Sequence, residues 1–254
     1  MAGRINNSIF TKLLCLIMAL SFTACKQAAK KESETLDSAR VTKPKLIKNP
    51  VVVELIIPKD SVFNPHSLYD LAKGFALNLN DINSWKNYVT VYANIENPEK
   101  LVNSIKMGYP YAAVKYFDKP FYHFNRKMCA DTTNSKEWDN ILLTANLVND
   151  LKLQQVYLDY HATQFAKWPE VSQGFCNARF QQLLVFKNER QLMLVISIPK
   201  GESLDKLNPL TTKNNPRVND WNKLMAKYQE GIPGTKPGEV WVFLKPLDHP
   251  HQNK

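Results

Sequence analysis

The order of predicted secondary-structure elements in the second half of the chain constrains its fold more than any other feature. β-rich runs and helical periodicity alternate there as strand, helix, strand, strand, helix and strand. The strands are predicted at Ile141–Val148, Phe180–Lys187, Gln191–Ile198 and Glu239–Leu244, and the helices from Asn149 or Asp150 to about Lys167 and from about Arg217 onward. This order is the ferredoxin-like arrangement.

The first half of the chain shows a similar alternation. Strands are predicted at residues 51–57, 88–95 and 112–117, and helices after Asn64-Pro65 and Asn97-Pro98. The polar stretch at residues 130–136 is the predicted boundary between the halves. The sequence therefore predicts an α+β fold with two ferredoxin-like α/β sandwich units, an N-terminal unit at residues 50–135 and a second unit at residues 138–248.

Residues 1–25 have the features of a bacterial lipoprotein signal peptide. Arg4 and Lys12 precede the apolar run Leu13–Phe22, and small residues stand immediately before Cys25. The apolar run is shorter than the roughly 20 residues that a membrane-spanning helix needs. The segment resembles a lipobox in which Cys25 is lipidated, with ordinary signal-peptide cleavage as the alternative. We therefore expect a lipid-anchored protein of the cell envelope that faces the periplasm.

The positive charge is concentrated ahead of the predicted folded part. Formal net charge is +10, but nine of the 33 lysine and arginine residues and only three of the 23 acidic residues precede residue 50. The rest of the chain is nearly balanced and shows no basic stripe with interleaved aromatics, so no nucleic-acid partner is predicted. Residues 26–49 read as a flexible tether whose basic side chains suit anionic lipid heads.

Two of the four cysteines, Cys129 and Cys176, fall outside the predicted leader. They have neither the close spacing nor the histidine neighbours of a zinc site, so no metal is predicted. A single bridge between them stays open for an exported protein.

Several motifs follow one another in a fixed order in the second half. They are Tyr157-x3-His161, Trp168-Pro169-Glu170-Val171, Leu192-Met193-Leu194-Val195, Asn215-Pro216-Arg217-Val218-x2-Trp221, Tyr228-Gln229 and Lys236-Pro237-Gly238-Glu239-x-Trp241-Val242. With these motifs, residues 141–247 resemble the L-rhamnose mutarotase family, whose members are ferredoxin-like domains that often pair into dimers. The first unit lies outside this match and its role is unknown, but because its element order is similar, we expect it to replace the partner subunit of family dimers and give an intrachain pseudo-dimer, with a homodimer as the alternative.

The resemblance also implies a reaction and a set of site residues. Exchange of α and β anomers of a deoxysugar such as L-rhamnose or L-fucose needs a group that removes and returns a proton, and His161 is the histidine within a matched motif. Tyr157 and Trp221 are the expected substrate-binding residues, as is Phe186, which stands where many members have a tyrosine. The substrate is a monosaccharide, and neither metal nor cofactor is implied. His161 is expected to line a pocket that admits the sugar.

Two departures from the family pattern affect this expectation. Six residues separate His161 from Trp168 where the family usually has three, and Asn222 stands where a second tryptophan is sometimes found. With Phe186, these departures support an alternative, a non-catalytic carbohydrate-binding lipoprotein on a mutarotase-like fold. A third possibility is an oxygenase or haem-handling protein of the same general fold. It ranks last because this sequence shows no evident ligand arrangement. Because fold alone does not fix function, the first two readings stay open.

Overall fold

The computed structural model describes residues 48–247. The predicted signal peptide at residues 1–25, lipidation at Cys25 and nearly all of the tether lie outside the described residues. The tether is shorter than predicted at its end, because Asn49 already begins the first strand. Among the described helices, none is long and apolar enough to cross a membrane.

Ten strands and six α-helices make up the described part of the chain. The strands are β1 (Asn49–Ile56), β2 (Ile82–Trp85), β3 (Tyr88–Ile95), β4 (Ala113–Phe117), β5 (Pro120–Asn125), β6 (Trp138–Leu147), β7 (Gln182–Asn188), β8 (Gln191–Pro199), β9 (Gln229–Glu230) and β10 (Val242–Pro246). The α-helices are α1 (Pro65–Gly74), α2 (Pro98–Gly108), α3 (Leu151–Lys167), α4 (Pro169–Asn177), α5 (Leu204–Leu207) and α6 (Pro216–Met225).

The strands form one barrel-like antiparallel sheet in the order β4-β1-β3-β2-β10-β6-β8-β7-β5, with β9 beside β6. Strands β1 to β4 thus stand in the order fourth, first, third, second, and β6, β7, β8 and β10 repeat that order. The two groups join where β2 pairs with β10. The edge strand β4 approaches β7, next to the opposite edge, at Asn188, whose Nδ2 donates to the carbonyl oxygen of Tyr116 over 2.9 Å.

Successive side chains along a strand point to opposite faces of the sheet, so buried clusters form on both faces. On β1, Val51 and Val53 pack on the side covered by α1 and α2, whereas Val52 faces the interior of the sheet. A second helix-side core lies under α3, α4 and α6. The interior cluster draws on both halves of the sheet and contains Val52, Tyr92, Phe117, Leu142, Leu184, Phe186, Met193, Val195 and Leu244.

The predicted helix that carries the first motif is confirmed. It is capped by Asp150, whose Oδ1 accepts hydrogen bonds from the N–H groups of Lys152 and Leu153 over 2.8 and 3.0 Å, and it ends at Lys167. Such a cap satisfies backbone donors that have no partner inside the helix. The sequence therefore determined both ends of this helix locally.

The final strand begins later than predicted, at Val242 rather than Glu239. Glu239 lies in a turn, where its N–H donates to the carbonyl oxygen of Lys236 over 3.0 Å. Gly238 precedes it with φ +81°, a left-handed conformation that favours glycine. The Lys-Pro-Gly turn therefore extends further into the predicted strand than its apolar pattern indicates.

Strand β5 and a disulfide connect the two predicted units. β5 precedes the predicted boundary at residues 130–136, yet it pairs with β7 beyond it. Cys129, just after β5, forms a disulfide with Cys176 on α4, with an S–S distance of 2.05 Å. The sequence left this bridge open because two cysteines 47 positions apart carry no pairing signal.

Candidate active site

Helix α3 presents one buried stripe of polar and aromatic side chains to the sheet. Gln154, Tyr157, His161 and Gln164 are its buried residues, at intervals of three and four that place them on one face. Leu153, next to Gln154 in sequence, is 40% exposed. The helix is therefore rotated so that hydrogen-bonding side chains, rather than its most apolar ones, face inward.

The imidazole of His161 lies at the centre of an aromatic cluster. Its ring centroid is 4.2 Å from that of Tyr157, 5.2 Å from Trp221, 5.3 Å from Tyr122 and 5.7 Å from Phe121. Two of these rings come from the matched motifs and two come from β5. Because of this enclosure His161 is only 7% exposed.

The hydrogen bond at Nδ1 determines which nitrogen of His161 can act as a base. Nδ1 lies 2.9 Å from the carbonyl oxygen of Tyr157. A carbonyl can only accept, so Nδ1 carries the hydrogen in the neutral ring and the lone pair lies on Nε2. Burial lowers the pKa of His161 to about 4, and the bond to the Tyr157 carbonyl opposes part of that shift. The ring is therefore neutral at pH 7.

The hydroxyl of Tyr157 is held by a hydrogen-bond chain from the end of the domain. Gln229 donates through Nε2 to the Tyr157 hydroxyl oxygen over 3.0 Å, and Trp241 donates through Nε1 to Gln229 Oε1 over 3.2 Å. Burial raises the pKa of Tyr157, although the bond from Gln229 opposes the shift. Tyr157 therefore stays protonated near neutrality and can act as a fixed hydroxyl.

Trp168 remains in the cluster despite the longer spacing after His161. Its ring centroid is 5.6 Å from that of Trp221 on α6. The backbone N–H of Trp168 donates to the Gln164 carbonyl oxygen over 2.7 Å, and Gln164 Nε2 donates back to the Trp168 carbonyl oxygen over 2.6 Å. The extra residues are accommodated because α3 continues to Lys167 before the chain turns into α4.

Glu170 and Arg217 hold the corner between α3, α4 and α6. The Arg217 guanidinium lies 4.2 Å from the centroid of the Trp168 ring, and its Nε is 3.6 Å from Glu170 Oε1. Asn215 donates through Nδ2 to the Glu170 carbonyl oxygen over 2.8 Å. These contacts give Trp168 and Glu170 a structural role at this corner.

A cavity of about 180 Å³ lies beside Trp221, but it does not include His161. Its walls include Val171, Phe175, Thr211, Val218 and Trp221. The expectation that His161 lines an open pocket is therefore wrong for this conformation. The physical reason is that the β5 rings fill the space next to the imidazole.

The structure also corrects the position expected for Phe186. Its side chain is fully buried in the interior cluster, on the opposite face of the sheet from α3. The neighbouring residue Val185 faces the helix side instead, as alternation along β7 requires. Phe186 is therefore a core residue of the interior and is not part of the aromatic cluster around His161.

The family model described as L-rhamnose mutarotase matches residues 141–248. Residues 141–248 form a domain of the L-rhamnose mutarotase family. The mutarotase-family domain includes α3, α4, α6 and strands β7, β8 and β10, together with most of β6.

Two curated relatives resemble overlapping parts of the chain. An L-fucose mutarotase of Xanthomonas campestris pv. campestris is 31% identical over 75 residues, which cover 29% of this chain and 58% of that protein. A UPF0734 protein of Dictyostelium discoideum is 28% identical over 120 residues, which cover 45% of this chain and 90% of that protein. The chain thus spans little more than half the length of the Xanthomonas relative.

A solved structure described as a chlorite dismutase aligns with 78% of this chain and 95% of its own chain. The identity is 8% and the TM-score is 0.32. A TM-score this low does not establish a common fold.

Sequence reasoning missed Phe121 and Tyr122 as neighbours of the mutarotase-family domain's histidine. Both precede the matched residues and lie on β5, which reaches the domain only through its pairing with β7. The available signal was the aromatic run after Pro120, but that run does not reveal which sheet edge it joins. The enclosure of His161 is thus a property of long-range strand pairing.

Proposed function

We propose that this protein exchanges the α and β anomers of a deoxysugar such as L-rhamnose or L-fucose, with His161 as the general acid and base. The observation that carries the proposal is the convergence of motif residues on one imidazole. Tyr157 and Trp221 flank the His161 ring, although 60 positions separate His161 from Trp221 along the chain. Gln229 and Trp241, from the last two motifs, anchor the Tyr157 hydroxyl.

In the proposed reaction Nε2 of His161 accepts the proton of the anomeric hydroxyl. The bond between the anomeric carbon and the ring oxygen breaks, its electron pair goes to the ring oxygen, and the imidazolium returns the proton to that oxygen. The open-chain aldehyde rotates and the same steps in reverse close the ring on its other face. The carbonyl of Tyr157 supports the imidazolium that forms between the two transfers.

The two flanking residues have separate roles in this proposal. The Tyr157 hydroxyl binds a sugar hydroxyl, because Gln229 fixes its position and burial keeps it protonated. Trp221 offers a flat apolar surface to the C–H face of the sugar ring. Phe186 has no role here because it lies in the interior cluster.

We propose that the two groups of four strands are ferredoxin-like units that pair within the chain as a pseudo-dimer. The shared strand order in β1–β4 and in β6, β7, β8 and β10 supports this, as does the pairing of β2 with β10. Light scattering tests it: a monomeric chain agrees with the pseudo-dimer, whereas an obligate homodimer sharing this seam contradicts it.

We further propose that the protein is anchored in the cell envelope through lipid on Cys25. The leader sequence and the disulfide between Cys129 and Cys176 support export to an oxidising compartment. Incorporation of labelled fatty acid should occur in the native chain and disappear in Cys25→Ser. Label that persists in that variant would contradict the site.

Anomer exchange can be measured directly by NMR exchange spectroscopy on L-rhamnose and L-fucose with the purified full-length protein. Protein-dependent exchange, above the rate in buffer, should fall by about two to four orders of magnitude in His161→Ala. His66→Ala is the matched control, since His66 lies exposed on α1. Sugar binding without faster exchange in the unsubstituted protein would instead identify the non-catalytic carbohydrate-binding alternative.

A further inference from the structure

Strand β5 lies before the mutarotase-family domain in sequence but adds an edge strand to its sheet. Tyr122 pairs with Val185 and Phe124 pairs with Leu183 on β7. The family match begins only at residue 141, so nothing in the matched motifs accounts for these residues. The first half of the chain therefore contributes directly to the surroundings of His161.

A local irregularity in β5 directs two successive aromatic residues toward the same imidazole. In a regular strand, Phe121 and Tyr122 would point to opposite faces of the sheet. The pairing of β5 with β7 shifts register between Pro120 and Tyr122. With this bulge, both rings lie within 6 Å of the His161 ring centroid, at 5.7 and 5.3 Å.

Tyr122 is fixed in place by several independent contacts. Its hydroxyl donates to Gln164 Oε1 over 2.6 Å, and its ring stacks on that of Phe165 at 5.3 Å with an interplanar angle of 11°. The side chain is 5% exposed. Moving it would break a buried hydrogen bond and a stacked pair, so Tyr122 is a rigid wall of the cluster.

Phe121 has only apolar ring contacts in this cluster, edge to face with His161 and Tyr157 at 5.7 and 6.3 Å. It is partly exposed to solvent, unlike Tyr122. A phenylalanine side chain has no hydrogen bond to lose, so rotating Phe121 outward costs less free energy than moving Tyr122. Phe121 is thus the ring whose displacement uncovers the imidazole most easily.

The other end of β5 is held to the mutarotase-family domain. Cys129 is bonded to Cys176 on α4, and Arg126 donates through Nη1 to the Cys176 carbonyl oxygen over 3.3 Å. Arg126 is itself 5% exposed and donates through Nη2 to Asp131. These contacts restrain the end of β5, while Phe121 lies at the bulge near its beginning.

We propose that Phe121 is the gate and specificity-determining residue of the sugar site, with Tyr122 as its fixed wall. The inference rests on the proposed function, because it names which ring a monosaccharide displaces to reach His161. Residues supplied by the first half of the chain thus limit the size of the sugar admitted. Rotation of the Phe121 ring admits a monosaccharide, whereas the rotated ring still blocks a longer glycan, so Phe121 sets the size limit and Tyr122 bounds the other side.

The gate can be tested without measuring catalysis, through the reactivity of His161. Diethyl pyrocarbonate modifies accessible imidazole nitrogens, and peptide mass spectrometry assigns the modified residue. His161 in Phe121→Ala should be modified about tenfold faster than in the native protein, because local opening limits the reaction of a buried group. Phe243→Ala, which removes an exposed phenylalanine on β10, should leave the rate unchanged.

Phe121→Leu provides a second variant that keeps an apolar side chain, with an intermediate modification rate as the expected result. Folding of each variant is checked by circular dichroism before comparison. An unchanged His161 modification rate in folded Phe121→Leu and Phe121→Ala would overturn the gate. Equal acceleration in the Phe243→Ala control would overturn it as well, since the effect would then not depend on position.

Sugar exchange provides the second measurement. Phe121→Ala should accelerate exchange of a reducing disaccharide relative to L-rhamnose, whereas Phe243→Ala should not change their ratio. An unchanged ratio alongside faster modification of His161 would overturn the specificity role of Phe121. If no variant catalyses exchange while His161 modification still responds to Phe121, the proposed function fails and the covering role of Phe121 stands.

Discussion

Nδ1 of His161 lies 2.9 Å from the carbonyl oxygen of Tyr157, one helical turn earlier on α3. This contact fixes the hydrogen on Nδ1 and leaves Nε2 as the base. Burial acts in the opposite direction from the hydrogen bond and lowers the pKa of His161 to about 4. The contact thus sets which nitrogen carries the lone pair, and burial sets the pH range over which the ring is neutral.

The pH dependence of catalysis follows from that pKa. A neutral imidazole is needed to accept a proton, so exchange should be nearly constant from pH 8 to about 5 and fall as pH decreases through about 4. NMR titration of the His161 ring in the free protein measures the same event. A midpoint near the ordinary histidine pKa of 6.5 would contradict the buried environment.

The stability of the fold should also depend on His161. Its folded pKa lies below its unfolded value of 6.5, so the unfolded chain binds more protons between pH 6.5 and 4. The contribution is complete above pH 6.5 and is lost as pH falls through 4, with a magnitude of about 3 kcal/mol. Urea unfolding of His161→Phe should show a smaller decrease over this range than the native protein. An identical decrease would contradict the assignment.

Glu54 should produce a pH dependence of the opposite sign. It is fully buried within the sheet, where burial raises its pKa to about 7 even though Gln191 Nε2 donates to its two carboxylate oxygens over 3.0 and 2.9 Å. Its folded pKa exceeds the unfolded value of 4.5, so the unfolding free energy should fall by about 3 kcal/mol as pH rises from 4.5 through 7. Glu54→Gln should remove this decrease.

The control for Glu54 is Glu96→Gln, because Glu96 is exposed at the end of β3. Urea unfolding between pH 4.5 and 8 compares the two variants with the native chain. A native slope retained in Glu54→Gln, or lost in Glu96→Gln, would show that another group causes the dependence.

Removing the disulfide should destabilise the protein without directly removing a proposed site residue. Cys129 and Cys176 are 47 positions apart, and closing a loop of that length stabilises a fold by about 4 kcal/mol in the chain-entropy account. The paired change Cys129→Ala and Cys176→Ala should lower the urea midpoint under oxidising conditions. Its stability should match that of the native protein treated with reductant. If reductant leaves the urea midpoint of the native protein unchanged, the disulfide does not stabilise the fold.

Phe186 and Trp221 offer a direct contrast between packing and substrate contact. Phe186→Leu, in the interior cluster, should lower the unfolding free energy by about 1 to 3 kcal/mol while leaving the Michaelis constant for the sugar unchanged. Trp221→Leu should raise that constant, because it removes the flat surface proposed to contact the sugar. Exchange kinetics at varied sugar concentration measure both. Equal changes in the Michaelis constant in the two variants would contradict the contrast between Phe186 as a core residue and Trp221 as a sugar contact.

Much of the mutarotase-family domain could be predicted because its signals are local. The cap at Asp150 and the apolar periodicity delimit α3, and the polar connection between β7 and β8 marks their hairpin. The last strand was predicted to begin too early, at Glu239, because the hydrogen bond from Glu239 to Lys236 that extends the turn depends on loop geometry. Local patterns therefore gave most of the elements, with errors at several boundaries: β6 begins at Trp138 rather than Ile141, and β7 at Gln182 rather than Phe180.

The candidate site was predicted only where its residues lie close together in sequence. Tyr157 and His161 are one turn apart on a single helix, so their proximity follows from the periodicity of that helix. Phe186 was misassigned because a strand has two faces, and only packing decides which face meets α3. Tyr122 was missed because its contact with Gln164 depends on pairing between segments far apart in sequence.

The sequence by itself determined most of the longer helices and strands, the capped helix that carries Tyr157 and His161, and the family of residues 141–248. These features depend on local chemistry and on ordered motifs. Only the tertiary structure decided that His161 is enclosed, because β5 joins the edge of β7 and brings Phe121 and Tyr122 against the imidazole. Burial depends on contacts between distant segments, and no local pattern specifies which strand covers which side chain.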